Sequence, residues 1–259
     1  MTWALTTAEK TSYSARGYLL RESVFSKSEV VAVNEVIDHV ETSIVNAAKR
    51  GREYWIEDRR FVDYGAHTLQ FEPAPMDAHL RVLEPVHSLA QELFGLINDD
   101  RILDPVRDLV GCKGLSVWTT KINFKRAGGS AFGWHQDAPY WIHDAIDLQK
   151  LPNVMIALDD VGPDSGCFRV ISGSHQGGIL PARNDGSQLE GFFTHPDVID
   201  LEQSIEFSMS AGALLFFDPL IVHGSTQNTS PLRRRALIAT YQPAHYPSLK
   251  SKAVVNLGS

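Results

Sequence analysis

The residues best placed to do chemistry lie in Gly133-Trp134-His135-Gln136-Asp137, where an imidazole and a carboxylate stand two positions apart. On a strand, residues i and i+2 share a face and lie roughly 7 Å apart along the backbone. His135 and Asp137 can then close on one metal ion, and a third ligand must come from elsewhere. The best candidate is His223, in Phe216-Phe217-Asp218-Pro219-Leu220-Ile221-Val222-His223-Gly224-Ser225. Two imidazoles and one carboxylate on one side of an ion leave the opposite positions open. That is the facial arrangement suited to non-haem Fe(II) oxygenases. A His-x-Asp pair alone is a weak signal, since short motifs recur by chance.

The segment after His223 strengthens the reading. Gly224, Ser225, Asn228 and Ser230 follow, then Arg233-Arg234-Arg235-Ala236-Leu237-Ile238. Upstream are Asp164-Ser165-Gly166-Cys167, Ser172-Gly173-Ser174-His175 and, before a long helical pattern, Gly17-Tyr18-Leu19-Leu20. Together these resemble the phytanoyl-CoA dioxygenase (PhyH-like) family of Fe(II)/2-oxoglutarate oxygenases. Its pattern is His-x-Asp, a distal His-Gly-Ser-x-x-Asn, and an arginine about eleven residues past that histidine. The motifs occur in the right order over most of the chain.

The resemblance implies Fe(II) held by His135, Asp137 and His223, with 2-oxoglutarate and O2 as co-substrates. It implies oxidation, most simply hydroxylation, of an unactivated C–H bond in a small, mostly apolar metabolite, with release of succinate and CO2. A halogenase of this superfamily replaces the carboxylate ligand by a small residue, and Asp137 is present. The far carboxylate of 2-oxoglutarate needs a fixed cation, and arginine offers a bidentate fork. Arg234 holds the matching position and Ser225 is the matching helper. Three consecutive arginines leave the register open, because Arg233 and Arg235 face the opposite side of a strand from Arg234. Lys121 falls near a co-substrate contact that is more often apolar in relatives; the co-substrate, an acidic substrate and water are its alternatives. Met155 falls where relatives often carry a tryptophan.

For substrate, Tyr140, Trp141 and Trp134 flank the metal motif, with His143, Tyr64, His67 and Phe71 as further aromatic candidates; each can equally belong to the core. His175, in a Gly-Ser-His turn, reads as structural. His39, His79 and His87 fall in helical patterns as surface or core residues, and Cys167 reads as a small buried side chain.

The elements that must position these groups follow from length and periodicity. The chain has 259 residues, 43% hydrophobic, with net charge −7 and two cysteines. One domain over 1–259 suits that length, and two cysteines show no disulfide framework, which fits a reducing compartment. The only basic cluster is Arg233–Arg235, so nothing calls for a nucleic acid. No secretory pattern and no apolar run near ~20 residues is visible, so a cytoplasmic protein without membrane contact is expected. Oligomeric state is not legible.

Residues 1–16 read as polar and loosely held, and Gly17–Arg21 as a short strand. Ser26 with Glu29 makes a capping box for a helix carrying Val33, Val36, Ile37, Val40 and Ile44, with Gly51 as its stop. Residues 52–75 show no clean period. A second helical pattern runs from Asp77 to Ile97 with Pro85 inside it. From Leu115 the pattern turns to strands: 115–125, 153–161, 168–171, 205–209, 213–217 and 235–241. On the first, Val117, Thr119, Lys121 and Asn123 share one face. Helices first and short strands later predict a β-rich α+β fold. A helical part over about 1–112 precedes a jelly-roll core over about 113–245; the resemblance implies a double-stranded β-helix, cupin-like, with N-terminal helices packed on one sheet. Two other readings remain at this level: a cupin-like metalloprotein without 2-oxoglutarate chemistry, and a non-catalytic small-molecule-binding protein.

Overall fold

The computed structural model describes residues 3–258. In chain order its elements are α1 (Thr7–Arg16), β1 (Tyr18–Arg21), α2 (Lys27–Ala48), β2 (Arg52–Ile56), β3 (Arg59–Tyr64), β4 (His67–Phe71), β5 (Leu80–Glu84), α3 (Gln91–Ile97), α4 (Asp100–Val110) and β6 (Leu115–Lys125). They continue with β7 (Phe132–His135), β8 (Asn153–Ala157), β9 (Phe168–Ile171), β10 (Ser204–Phe207), β11 (Leu214–Phe217), β12 (His223–Ser225), β13 (Arg234–Pro243) and β14 (Asn256–Leu257). The large sheet runs β1-β11-β8-β13-β6-β5-β4-β3-β2 with β14 added on β6, and a smaller sheet runs β10-β9-β12-β7. This is the expected double-stranded β-helix.

Strict alternation on β8, β11 and β13 makes the layers. Val154, Ile156, Leu214, Phe216, Leu237 and Ala239 face one way and join a core with Ile37 and Ile44 of α2 and Ile102 and Val106 of α4. Their neighbours Met155, Ala157, Leu215, Phe217, Ala236 and Ile238 face the other way and meet Phe168, Val170 and Phe207 of the smaller sheet. Both sides of these strands are buried, so their central residues are apolar on both faces. Each large side chain so buried contributes roughly 1.5–3 kcal/mol.

Helix α2 begins as expected. Ser26 Oγ accepts from the Glu29 amide, and Glu29 accepts from the Ser26 amide at 2.8 Å. Residues 1 and 2 lie outside the described residues. The rest of the N-terminal segment is held more firmly than expected, because Thr6 and Glu9 form a second capping box on α1. Arg21 then grips Glu9 at 2.8 Å.

Several expectations are corrected. The pattern over 77–97 is not one helix: Leu80–Glu84 is β5, paired to β4 and β6, and only Gln91–Ile97 is helical. Pro85 cannot continue a helix, and apolar residues three apart fit a buried strand as well as a helix. His79 and His87 therefore lie off helices, and only His39 is on one. The segment 52–75 holds β2, β3 and β4, which extend the large sheet as a meander. Residues 3–112 thus supply five strands as well as four helices. On β6, a bulge opposite Thr240 and Tyr241 breaks the alternation. Val117 turns to the helix-side core, while Thr119, Lys121 and Asn123 face the cavity. An extra residue in one strand re-aims every side chain beyond it.

Candidate metal centre and its cavity

His135 and His223 are direct cross-strand partners, on β7 and β12. Their ring centroids are 4.2 Å apart. Asp137 joins them by a different route from the one its spacing suggests. Strand β7 stops at His135, and Asp137 (φ −77°, ψ −35°) starts the 3-10 turn Ala138–Trp141. That turn is pinned by the Ala138 amide on Pro219 O at 2.9 Å, and by Gln136, which donates to Gly178 O at 2.8 Å and to Leu220 O. One ligand atom from each of His135, Asp137 and His223 lies within 4.8 Å of the others.

The donor set suits a divalent metal. His135 Nδ1 lies 2.7 Å from Gly133 O and His223 Nδ1 lies 3.0 Å from Ile221 O. With Nδ1–H donating to those carbonyls, each Nε2 lone pair faces the shared centre. Asn153 Nδ2 donates to Asp137 Oδ2 at 3.0 Å and is itself held by the Thr240 hydroxyl at 2.5 Å. Burial pushes His135 down to about 3, helped by the like charge of His223, and burial lowers His223 as well. Burial works to raise the Asp137 carboxyl. Lys121 at 3.6 Å and then the two imidazoles outweigh it and hold the group below its ordinary value. Neutral imidazoles beside an ionised carboxylate are the protonation states that bind a metal.

A cavity of about 390 Å³ opens over this centre. Arg234 and Ser225 line it, as do Lys121, Tyr140 and Trp141. Arg234 is 1% exposed, and its Nε and Nη2 have no hydrogen-bond partner. Burial lowers it only to about 10, so it stays cationic at neutral pH. The arginine register is resolved by the helix-side charges. Arg235 binds Asp159 at 2.8 Å and Asp38 at 3.0 Å, and Arg233 binds Asp38 at 2.9 Å, which leaves Arg234 alone facing inward. Asn228 ties the loop before Arg234 by donating to Lys125 O at 3.0 Å and Leu232 O at 2.7 Å.

Not every expected site residue converges. Trp134 alternates to the outer side of β7, where the Arg169 guanidinium sits 4.8 Å from its ring, and it does not line the cavity. Tyr64, His67, Phe71 and His143 are also off the cavity wall, and Phe61 and Gln70 stand there instead. Trp141 packs edge-on to Trp118, with ring centroids 6.2 Å apart. Tyr140 donates to Phe192 O at 2.7 Å. Met155 is buried between the sheets, in register with Ile238. His175 packs against Gly17, where a Cβ would lie 2.5 Å from its Nδ1, and is structural as expected. Cys167 is buried, and both cysteines are free.

Sequence reasoning missed Asn153, Lys125, Arg59 and Glu84. Asn153 shares the parity of Met155 on β8, and Lys125 that of Lys121 and Asn123 on β6, so alternation carried a signal for both. Arg59 lies in the segment that showed no clean period, and Glu84 in the pattern over 77–97 that read as a helix.

A jelly roll that brings two histidines of its smaller sheet and the aspartate of an adjoining turn to one open cavity has the donor set of a facial-triad metalloprotein. The profile of the phytanoyl-CoA dioxygenase (PhyH) family matches residues 13–236, and the chain belongs to that family. Among curated relatives, it is 26% identical over 243 residues to a probable alpha-ketoglutarate-dependent hypophosphite dioxygenase of Stutzerimonas stutzeri, covering 91% of this chain and 78% of that protein. It is 32% identical over 198 residues to the L-proline trans-4-hydroxylase of Streptomyces griseoviridis, covering 63% and 73%. Of solved structures, EctD from S. alaskensis with bound Fe superposes with a TM-score of 0.70 at 20% identity, over 95% of this chain and 79% of that one.

Proposed function

We propose that this protein is an Fe(II)/2-oxoglutarate-dependent dioxygenase that oxidises a C–H bond of a small metabolite, releasing succinate and CO2. The observation that carries the reading is the pairing of the His135–Asp137–His223 cluster with Arg234, a buried guanidinium with unpartnered nitrogens on the wall of the same cavity. An arginine in that state calls for an anion, because leaving charged donors unpaired in a buried site is costly. The residues therefore fit both groups. Relatives carrying dioxygenase or hydroxylase names, among them the ectoine dioxygenase of Bordetella parapertussis at 26% identity, support it.

His135, Asp137 and His223 would hold the iron, and Arg234 with Ser225 would hold the far carboxylate of 2-oxoglutarate. When bound, iron and 2-oxoglutarate together supply the activation of O2 for attack on a C–H bond. The chain's own residues do the rest. Asn153 fixes the Asp137 carboxylate, and the carbonyls of Gly133 and Ile221 fix the imidazoles. Lys121 places a positive charge beside Asp137 and the cavity. Apolar walls from Phe61, Trp141 and Phe192 exclude water, while Arg59 and Glu84 provide polar points for orienting substrate. The volume lies at the low end for small-molecule sites and must admit the co-substrate too, so the substrate is small. No helix among the described residues is long and apolar enough to cross a membrane.

The test is anaerobic titration of Fe(II)-loaded protein with 2-oxoglutarate, following the weak visible metal-to-ligand charge-transfer band. The expected result is a band that His135→Ala abolishes and that needs far more co-substrate in Arg234→Ala. Folded, iron-loaded protein that shows no band overturns the reading.

A further inference from the structure

Lys125 ends β6 directly opposite Arg234 on β13. Both are 1% exposed. Like charges facing each other across a strand pair destabilise a sheet, and burial removes the water that would screen them. Among the described residues neither cation has a carboxylate within 4.0 Å. The site nevertheless makes room for the lysine. A Cβ on Gly166 would fall 2.5 Å from Lys125 Cδ, and one on Gly129 would fall 3.1 Å from its Cγ. Gly166 is also left-handed (φ +78°), a conformation glycine adopts without steric cost. The Asp164-Ser165-Gly166-Cys167 turn thus borders the Lys125 stem.

The ammonium end does not line the cavity. It donates to Ser225 Oγ at 2.7 Å and to Thr226 O. A serine hydroxyl has one hydrogen and two lone pairs. With a lone pair taken by Lys125, the hydroxyl hydrogen is left to point into the cavity that Ser225 and Arg234 line. Lys125 therefore sets Ser225 as a donor toward whatever anion Arg234 binds.

We propose that Lys125 is a positioning residue of the co-substrate site, orienting Ser225 toward the far carboxylate of 2-oxoglutarate, and that binding of that carboxylate draws one proton from solvent onto Lys125 Nζ. The inference rests on the reading of the cavity as a 2-oxoglutarate site. The titratable groups whose charges act on Nζ are Arg234 from β13, Arg81 from β5, Glu72 just past β4 and Cys167 just before β9. Burial, then Arg234 and Arg81, push Lys125 down to about 6 against the opposing pull of Glu72 and Cys167. At pH 7.5 the empty site thus holds mostly neutral amine, which still donates to Ser225 and Thr226. An added carboxylate favours the ammonium form and raises that value. Affinity is then greatest near and below pH 6 and falls as pH rises toward the bound-state value.

The experiment is calorimetric titration of Mn(II)-loaded protein with 2-oxoglutarate at pH 7.5 in phosphate and in Tris, whose ionisation heats differ, repeated from pH 6.5 to 8.5. Lys125→Met, Lys125→Arg and Arg234→Ala are run alongside. The expected wild-type result is net proton uptake approaching one, with affinity weakening as pH rises. Lys125→Met should take up no proton, show no pH trend and bind about tenfold more weakly, the scale of one charge-assisted contact. Lys125→Arg, always charged, should lose the pH trend yet recover binding. Wild-type binding without proton uptake overturns the proposal, as does wild-type affinity and uptake in Lys125→Met. If Lys125→Met fails to fold, the wild-type proton count decides. Wild-type binding that Arg234→Ala abolishes, with no proton uptake, rejects the role of Lys125 alone. Absence of any wild-type binding rejects the co-substrate reading and this inference with it.

Discussion

Asn153 and Asp137 meet at 3.0 Å, the amide of β8 donating to the carboxylate oxygen that faces His223. The bond joins the large sheet to the turn that carries the metal ligand, and the Thr240 hydroxyl on β13 fixes the asparagine in turn. A ligating carboxylate held this way keeps one orientation. Asn153→Ala should weaken Mn(II) or Fe(II) binding by about 10–100-fold, the usual cost of losing a partner of a metal ligand. Metal titration followed by electron paramagnetic resonance of free Mn(II) measures this. Unchanged affinity would show that the turn alone orients Asp137.

Arg234 and Arg235 should separate cleanly by substitution. Arg234→Ala should cost co-substrate binding with little loss of stability, since its Nε and Nη2 have no protein partner to lose. Arg235→Ala should do the reverse. It takes the guanidinium from Asp159, which keeps only the Arg235 backbone amide, and leaves Asp38 only Arg233. With those carboxylates 20% and 45% exposed, the loss stays below the roughly 3–5 kcal/mol of a fully buried pair. Urea unfolding and 2-oxoglutarate titration of both variants check the contrast, and equal effects on the two readouts would refute it.

Gly166→Ala should harm both stability and the site. The left-handed backbone costs a side-chain residue about 1–2 kcal/mol. The new methyl also meets the Thr226 carbonyl at 2.7 Å and the Lys125 stem. Thermal unfolding and 2-oxoglutarate affinity should both fall, and a variant as stable as wild type would rule out the close approach.

Acid should loosen the start of α2. Glu29 is held at about 2, first by its hydrogen bond to Arg101 and then by the Ser26 amide and hydroxyl. Its folded value lies below the unfolded 4.5, so its stabilisation is present above pH 4.5 and fades as pH falls toward 2. The Glu29 side chain is 42% exposed, so solvent screens the pair and the contribution stays within about 1 kcal/mol. The stability gap between wild type and Glu29→Gln should close over that window in denaturant titrations. A gap that is constant with pH would place the effect elsewhere.

Metal removal should lower stability, because binding to the folded chain alone adds about 2.7 kcal/mol at a hundredfold excess over Kd. Thermal melts with and without a chelator should differ for wild type and coincide for His223→Ala. A chelator shift that persists in His223→Ala would move the metal to other ligands.

The sequence by itself was enough for the family, the two-layer β architecture and the ligand trio, because local rules carry them. The strand-length runs at 213–217 and 235–241, the Ser26–Glu29 cap and the order of the His-x-Asp and His-Gly-Ser blocks are all short-range signals. Tertiary structure alone decided how Asp137 reaches the metal, since a turn pinned by Gln136 and Pro219, not a continued strand, points it inward. It also decided which arginine faces the cavity, because Asp38 and Asp159 lie 197 and 76 positions from Arg235. A bulge on β6 turned Val117 away from the face of Thr119, and a bulge is a property of two paired strands that one strand does not encode. The opposition of Lys125 and Arg234 is of the same kind. Each residue is an ordinary cation in the sequence, and only strand register places both beside one buried serine.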